Sequence, residues 1–499
     1  MIDLKGKKVT IVGLARSGVG AANLLSKLGA IVAVTDKKDS RSLKAFIEKL
    51  SPDIRLELGN HPKELFEKTD LIIVSPGVPL NIPPLKAAAE KGIKIIGELE
   101  LAYQIVEAIG NRQEAMGSKQ EISSYRLSPI VHRPSFLAVT GTNGKSTTTM
   151  LLYEMLKNGR FNTLLGGNIG NALTEEILKS EDKSNIDYIV AEVSSFQLES
   201  IDRFRPKGAA ILNITPDHLD RYSSMSDYID AKCRIFLNQG AGDFLVLNAD
   251  DPATEDIMQR VKSQESRVKR IPEIFYFSRK REVEGAYLQD NVIRFNLPES
   301  KIQNLKFKIQ NFSSDFRLLT PDFRIKGVHN IENAMASSLM ALLSGCNADA
   351  VIDTLKTFPG LEHRLEFVRE VDGVKFINDS KGTNVGAVIK SLESFSEPVI
   401  LIAGGRDKDS DFSVLMPLIK EKVKSLILIG EAKDKIKRAV GEAAKEVFME
   451  DDFRAAVLKA KQAASHGDVV LLSPACASFD MFRDFEDRGR QFKKAVMEL

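Results

Sequence analysis

Phe136–Met150 reads FLAVTGTNGKSTTTM, an apolar run, a glycine-containing loop, and then small hydroxyl residues suited to opening a helix. A strand that feeds a helix through such a loop aims backbone amides, and the positive end of the helix dipole, at phosphate oxygens. On this reading Gly141, Thr142, Asn143 and Gly144 wrap a triphosphate, Lys145 reaches its β- and γ-phosphates, and Ser146 or Thr147 helps position Mg²⁺. The usual P-loop spacing asks for glycine at position 139, which is Val139 here, so the loop is a shortened form distinct from that of most GTPases and motor ATPases.

Downstream, Tyr188–Glu192 is an apolar run ending in a carboxylate, followed by Ser194-Ser195-Phe196-Gln197. A carboxylate at a strand end beside a phosphate loop can hold Mg²⁺ directly or through water, although alone such a glutamate is more often a solvated terminus. Ala209–Arg221, AAILNITPDHLDR, repeats the arrangement and brings Asp217, His218 and Asp220 to the same sheet edge. His218 is a candidate metal ligand, with a loop hydrogen bond as the plain alternative. Tyr228–Phe236, YIDAKCRIF, reads as a helix with Ile229, Ile235 and Phe236 on its apolar face; Lys232 is then an exposed or phosphate-facing lysine.

Upstream, Val9–Gly20, VTIVGLARSGVG, runs from an apolar strand through Gly13, Gly18 and Gly20 into a helix expected over Ala21–Leu28. With Asp36 closing the next strand, this resembles a dinucleotide fingerprint, but Ala15 replaces the second glycine of G-x-G-x-x-G. A purely structural tight turn is the other reading. Ser75-Pro76-Gly77 ends a third strand, where a doubly wound sheet places its ligand loops.

Buried-looking strands alternate with amphipathic stretches along the chain: Lys8–Val12, Ile31–Thr35 and Leu71–Ser75, then Phe136–Thr140, Tyr188–Glu192, Ala209–Ile214 and Phe244–Asn248. After Gly360 come Val374–Asn378, Val399–Gly404, Ser425–Gly430 and Val469–Ser473. That alternation predicts an α/β protein of three domains, which suits 499 residues. They are an N-terminal Rossmann-like unit over 1–97, a central P-loop ATPase-like unit with a mostly parallel sheet over 98–359, and a C-terminal Rossmann-like unit over 360–499. Two stretches break the rhythm: Asn111–Arg133, a linker or insertion, and Val261–Ile325, a β-rich appendage in which Val292–Phe295 and Leu305–Ile309 suggest antiparallel strands.

Lys and Arg number 70 against 68 Asp and Glu, which leaves no electrostatic footprint for nucleic acid or an anionic membrane. No apolar run approaches the roughly 20 residues of a membrane span. Cys233, Cys346 and Cys476 show no CxxC spacing and follow nothing like a secretory signal, so reduced thiols in a cytoplasmic protein are expected.

Five segments, GTNGKST, EVSSFQLE at Glu192–Glu199, NITPDHLDRY at Asn213–Tyr222, AKCRIF at 231–236 and GVHNIENAMA at Gly327–Ala336, resemble the Mur ligase family. The resemblance spans nearly the whole chain outside the two irregular stretches. In the last third, NDSKGTN at Asn378–Asn384, AGGRDKDSDF at Ala403–Phe412 and LSPACASFDMFRDFEDRG at Leu472–Gly489 look like the D-glutamate-adding branch. The Asp-Asn-Pro-Arg motif of the diaminopimelate- or lysine-adding branch is absent from the sequence. Folylpolyglutamate synthase, a more distant relative, would start near the GTNGKST strand.

The resemblance implies an ATP-dependent ligase that joins D-glutamate to UDP-N-acetylmuramoyl-L-alanine through an acyl phosphate, acting as a cytoplasmic monomer. It implies a UDP site from Arg16, Ser17, Asp36, Lys37, Ser75 and Gly77, with Asn168 and His218 reaching the substrate from the middle domain. Lys145, Ser146 and Glu192 would serve ATP and a first Mg²⁺, His218 a second, and Lys232 would be carbamylated, which turns a cation into an oxygen ligand. Asn330 and Asn333 would contact the adenine side, and Arg364 and Asp379 would approach ATP from the third domain. Lys381, Thr383, Lys408, Ser478 and Phe485 would form the D-glutamate pocket. The chain departs from the family at Asp409, where glycine is common, and no residue offers itself as the general base. A ligase for another amino acid, a P-loop switch and an NAD-dependent oxidoreductase are the rivals; the chain has no NKxD stretch for the switch, and the oxidoreductase leaves GTNGKST unexplained. Because the groups come from three domains, closure of the third is expected to assemble the site.

Overall fold

Strands covered by helices on both faces need apolar residues at every position rather than at alternate ones. Leu71–Val74, Phe244–Asn248, Val399–Gly404 and Val469–Leu472 are accordingly buried along their whole length. In the computed structural model, which describes residues 4–117, 133–180, 185–218, 221–268, 271–305, 316–325 and 327–499, these strands belong to three sheets in series.

The first sheet is parallel, in the order Arg55–Leu58, Ile31–Asp36, Lys8–Val12, Leu71–Val74, Lys94–Gly97. Strand order reverses between Lys8–Val12 and Leu71–Val74, so the Gly13 and Ser75 loops flank a topological switch point. The expected helix Ala21–Leu28 is instead Arg16–Lys27. Gly18 and Gly20 thus lie inside the helix and serve close packing: a Cβ at Gly18 would strike the Gly13 carbonyl, and one at Gly20 would strike Thr174 Oγ1.

The second sheet has nine strands, with Ser135–Thr140 between Gly208–Ile211 and Tyr188–Glu192 and with Thr163–Gly167 at one edge. On the other side it continues through Phe244–Asn248, Glu273–Ser278 and Gly285–Gln289, all parallel, to the antiparallel Val292–Asn296 and Arg317–Leu319. The β-rich stretch is therefore an extension of the central sheet. Its expected start, Val261, lies within the helix Ala253–Val268, and Leu305 closes the helix Glu299–Leu305 rather than opening a strand. Residues 306–309 of that expected strand lie outside the described residues, as does Asp220. Asn111, the expected start of the linker or insertion, lies within the helix Glu98–Gly117; residues 118–132 lie outside the described set.

The third sheet runs Glu366–Val371, Val374–Asn378, Val469–Leu472, Val399–Gly404, Val423–Ile429, Glu446–Met449, antiparallel only at the first pair. Separate apolar clusters cover its two faces. By contrast, one buried cluster runs without a break from Leu24 and Val34 of the first unit to Ile189 and Leu245 of the second. Two carboxylates at the start of the helix Glu98–Gly117, which directly follows the last strand of the first sheet, anchor that helix in the second unit. Glu98 Oε1 accepts from Thr174 N and Oγ1 at 2.7 and 2.8 Å, and Glu100 accepts from the backbone N–H groups of Asp202, Arg203 and Phe204 at 2.8–3.0 Å.

Candidate active site

The carboxyl ends of the second and third sheets face each other across a cavity of about 680 Å³. From the second sheet its wall takes Thr142–Lys145, Thr147, Asn168, Glu192, His218 and Lys232. Asn330 and Asn333 come from the helix Val328–Leu343, and Arg364, Asp379, Lys381, Thr383 and Lys408 from the third unit. Segments far apart in sequence thus supply one site.

The glycine loop is held by its neighbouring strand. Thr142 N donates to Asn213 O and Asn143 N to Asn213 Oδ1, each at 2.8 Å, and Thr142 Oγ1 donates to Thr215 O at 3.1 Å. Gly144 sits at φ +82°, and a Cβ there would collide with Asn333 Oδ1, so the turn needs glycine for both reasons. Lys145 Nζ donates to the carbonyls of Gly141 and Thr142 at 2.9 and 2.7 Å.

Of the two readings of Lys232, exposed or phosphate-facing, the exposed one fails, since only 2% of the residue is accessible. Its Nζ donates to the same Gly141 carbonyl at 2.9 Å and lies 4.6 Å from the centre of the Tyr228 ring. Burial first, and then the nearby Lys145 ammonium, hold the Lys232 amine well below the ordinary lysine range. Burial likewise lowers Lys145, against the pull of Glu192.

Glu192 is buried at its strand end. Oε1 accepts from Asn168 Nδ2 at 2.7 Å, while Oε2 has no hydrogen-bond partner among the described residues. Burial tends to raise this carboxyl, yet Lys145 and its other neighbours outweigh that and keep it lowered and ionised. A buried carboxylate oxygen without a donor, near a serine hydroxyl and a basic loop, is the kind of ligand a hard divalent cation takes. His218, in the left-handed region at φ +56°, packs its ring 4.8 Å from that of Phe196, and burial keeps its imidazole below the ordinary range and neutral at pH 7.

The third unit reaches across by specific contacts. Arg364 Nη2 donates to Ser146 Oγ at 2.8 Å, Lys408 Nζ lies 3.5 Å from Asp217 Oδ1, and Asn384 Nδ2 donates to Asp217 Oδ2 at 3.2 Å. Asp379 is buried beneath Ser391 and Ser473, whose hydroxyls both donate to Oδ2 at 2.7 Å; burial pushes its carboxyl up to about 6 against those donors. Lys381 Nζ lies 3.6 Å from the centre of the Phe485 ring, and its burial lowers the amine to about 8. Asp409, the residue that departs from the family glycine, lies in the left-handed region at φ +61°, which glycine enters without a Cβ penalty.

Several residues singled out in the sequence stand apart from this cavity's wall. Gly141 and Ser146 support it from behind through the contacts above, Ser478 is buried, and Phe485 lies under Lys381. Arg16, Ser17, Asp36, Lys37, Ser75 and Gly77 gather at the switch point of the first sheet. There Asp36 Oδ2 accepts from Leu14 N at 2.7 Å and Oδ1 from Lys38 N at 2.9 Å, while Ser75 Oγ donates to Gly13 O at 2.8 Å. Both side chains brace the glycine turn. The first and second units also meet there, where Arg16 Nη1 donates to Gly170 O and Arg221 Nη1 to Pro76 O, each at 3.3 Å.

The sequence reading assigned no role to Asn213, Asn384 or Arg221. Asn384 had a readable signal, since an Asn before the apolar-periodic Val385–Glu393 is an N-cap, and its Oδ1 does accept from Ala387 N at 2.8 Å. Arg221 pairs with Glu199 at 2.6 Å from a distant segment, for which local sequence carries no signal.

This arrangement, a nucleotide loop facing a second α/β unit with a third at the far end, defines a three-domain ligase. Family profiles for the Mur ligase MurD-like N-terminal domain, the Mur ligase middle domain and the Mur ligase glutamate ligase domain match residues 7–97, 139–341 and 363–476. The chain belongs to the Mur ligase family. It is 44% identical over 503 residues to the UDP-N-acetylmuramoylalanine–D-glutamate ligase of Geotalea daltonii, covering 100% of this chain and 99% of the relative. It is 43% identical over 500 residues to the enzyme of the same name from Pelotomaculum thermopropionicum, with the same coverage. Among solved structures, the MurF ligase of Thermotoga maritima in complex with ADP superposes with a TM-score of 0.57 at 14% identity over 100% of both chains, which is a likeness of fold.

Proposed function

We propose that this chain joins D-glutamate to UDP-N-acetylmuramoyl-L-alanine, converting ATP to ADP and phosphate, as a cytoplasmic monomer. The observation that carries the reading is the single cavity that sets the glycine loop opposite Lys381, Thr383 and Lys408; the two full-length relatives support the choice of substrates. Residues 1–97 are taken as the UDP-binding unit, 98–359 as the ATP-binding unit and 360–499 as the amino-acid-binding unit.

A carboxylate cannot be attacked directly by an amine, because oxide is too poor a leaving group. The L-alanyl carboxylate therefore attacks the γ-phosphate of ATP, giving an acyl phosphate and ADP. Lys145 neutralises charge on the transferring group, with Arg364 approaching from the other side. The free amine of D-glutamate, placed by Lys381, Thr383, Lys408 and Ser478 with Phe485 against them, adds to the activated carbonyl. The tetrahedral intermediate then expels phosphate, leaving an amide, and the proton of the ammonium goes to solvent by a route that no residue is assigned. Arg16, Ser17, Asp36, Lys37, Ser75, Gly77 and Asn168 hold the nucleotide sugar, and Asn330, Asn333 and Asp379 line the ATP side.

Mg²⁺, two ions in this reading, would supply charge neutralisation on the phosphoryl oxygens. The partnerless Glu192 Oε2, the Ser146 hydroxyl and neutral His218 fit such ions by donor chemistry. Lys232 fits a carbamate for a physical reason: a buried amine whose proton is held less tightly than usual is more nucleophilic toward CO₂, and the product is an anionic oxygen ligand where an ammonium would repel a metal.

The test is phosphate release from ATP with purified protein, Mg²⁺ and UDP-N-acetylmuramoyl-L-alanine, comparing D-glutamate with L-glutamate, L-alanine and diaminopimelate. D-glutamate alone should stimulate release, with a matching dipeptide product. Stimulation by another amino acid would overturn the third-domain assignment, and no substrate dependence would favour a nucleotide switch.

A further inference from the structure

Arg488 is wholly buried, on the first turn of the helix Phe485–Met497. Its hydrogen bonds go to neutral oxygens. Nε donates to Ser380 Oγ at 3.0 Å, Nη2 to Ser380 O at 2.8 Å, and both Nη1 and Nη2 to Cys476 O at 3.2 Å. No carboxylate pairs with it among the described residues. A buried guanidinium with no direct ion pair is costly, and burial lowers even this group to about 10 against the pull of the Cys476, Asp480 and Asp379 charges. Such a residue is retained for what its planar fork can reach, which a lysine cannot match.

What the fork reaches is the frame of the amino-acid pocket. Ser380 sits between Asp379 and Lys381, which both line the cavity; Cys476 lies two residues before Ser478 and three before the exposed, cavity-lining Phe479. The two segments leave the carboxyl ends of the adjacent parallel strands Val374–Asn378 and Val469–Leu472. Ser380 Oγ in turn donates to Phe485 O at 2.8 Å, and the Phe485 ring carries Lys381. One guanidinium therefore fixes the spacing of three of the groups assigned to the amino acid, while making no hydrogen bond to those assigned to ATP or the nucleotide sugar.

We propose that Arg488 is a positioning residue for the amino-acid subsite, setting the distance between the Lys381 and Ser478 segments so that both reach one D-glutamate molecule. The proposal rests on the functional reading above. It is tested in the full-length protein with Arg488→Lys, which keeps the charge but cannot span both segments, and with Ser380→Ala, which removes the oxygen facing Nε and is mild enough to fold. D-glutamate-dependent phosphate release is first measured in the wild type; its absence would sink the functional reading itself. Given that release, Arg488→Lys should raise the KM for D-glutamate by about tenfold or more, and Ser380→Ala by a smaller factor, with the KM for ATP unchanged within about twofold. A fall in kcat with every KM unchanged, or losses for ATP and D-glutamate in the same proportion, would mean that Arg488 is only structural. If Arg488→Lys does not fold, Ser380→Ala decides alone, and an unchanged KM for D-glutamate there overturns the proposal.

Discussion

Lys232 and Asp379 are the residues whose ionisation the fold alters in the most informative way. Neither shift is visible locally, since AKCRIF and NDSKGTN read as an ordinary helix turn and loop. If the Lys232 amine is the precursor of an oxygen ligand, Lys232→Ala should lose most activity and recover part of it when formate or acetate is added. An activity loss with no carboxylate rescue would count against the carbamate. For Asp379, a carboxyl near 6 in the folded chain against 3.8 for the free side chain means that the folded state binds more protons between those values. Stability should therefore fall as pH rises from about 4 to about 6, by at most roughly 3 kcal/mol at 1.36 kcal/mol per unit. Urea unfolding across that range would measure the slope, and Asp379→Asn should flatten it; an identical slope in the variant would contradict the assignment.

Among elements, the helix Val385–Glu393 shows how a local signal acquires a distant task. Asn384 caps it, and the same side chain reaches Asp217 and, at 3.4 Å, Asn143 of the glycine loop. Asp452 caps Phe453–Ala463 by the same chemistry with no such contact. Each should cost about 1 kcal/mol when changed to alanine. Only Asn384→Ala should also depress phosphate release, and equal activities in the two variants would reduce Asn384 to a cap. Strand positions were legible for a related reason: strands buried on both faces, such as Tyr188–Glu192 and Val399–Gly404, announce themselves as apolar runs. Arg55–Leu58, Glu366–Val371 and Glu446–Met449 did not, because they sit at sheet edges with mixed burial and charged residues among them.

For the whole molecule, the contrast is between a welded junction and a polar one. The first and second units share an apolar cluster, and Glu98 and Glu100 anchor in the second unit the helix that leaves the first sheet, whereas the third meets the second at the cavity through Arg364, Asn384 and Lys408. Glu100→Ala would strip a carboxylate from three backbone N–H groups and loosen the helix through which the first unit is attached, a loss of about 3 kcal/mol or more. Calorimetry of that variant should show the first unit melting in a separate, earlier transition. A single transition at the wild-type temperature would show that the apolar cluster alone holds the junction.

The sequence by itself determined the α/β class, the three-unit order, the glycine loop and the family, because each rests on short-range patterns: apolar runs, glycine spacing and motif order. Only the tertiary structure decided that Lys232 is buried under Gly141 beside Lys145, that Asp36 and Ser75 brace their own turn, and that Arg488 ties Ser380 to Cys476. Those facts depend on which distant segments meet, and on how much water is excluded where they do. Burial and long-range pairing set the charge state and reach of a side chain, and neither is encoded in its immediate neighbours.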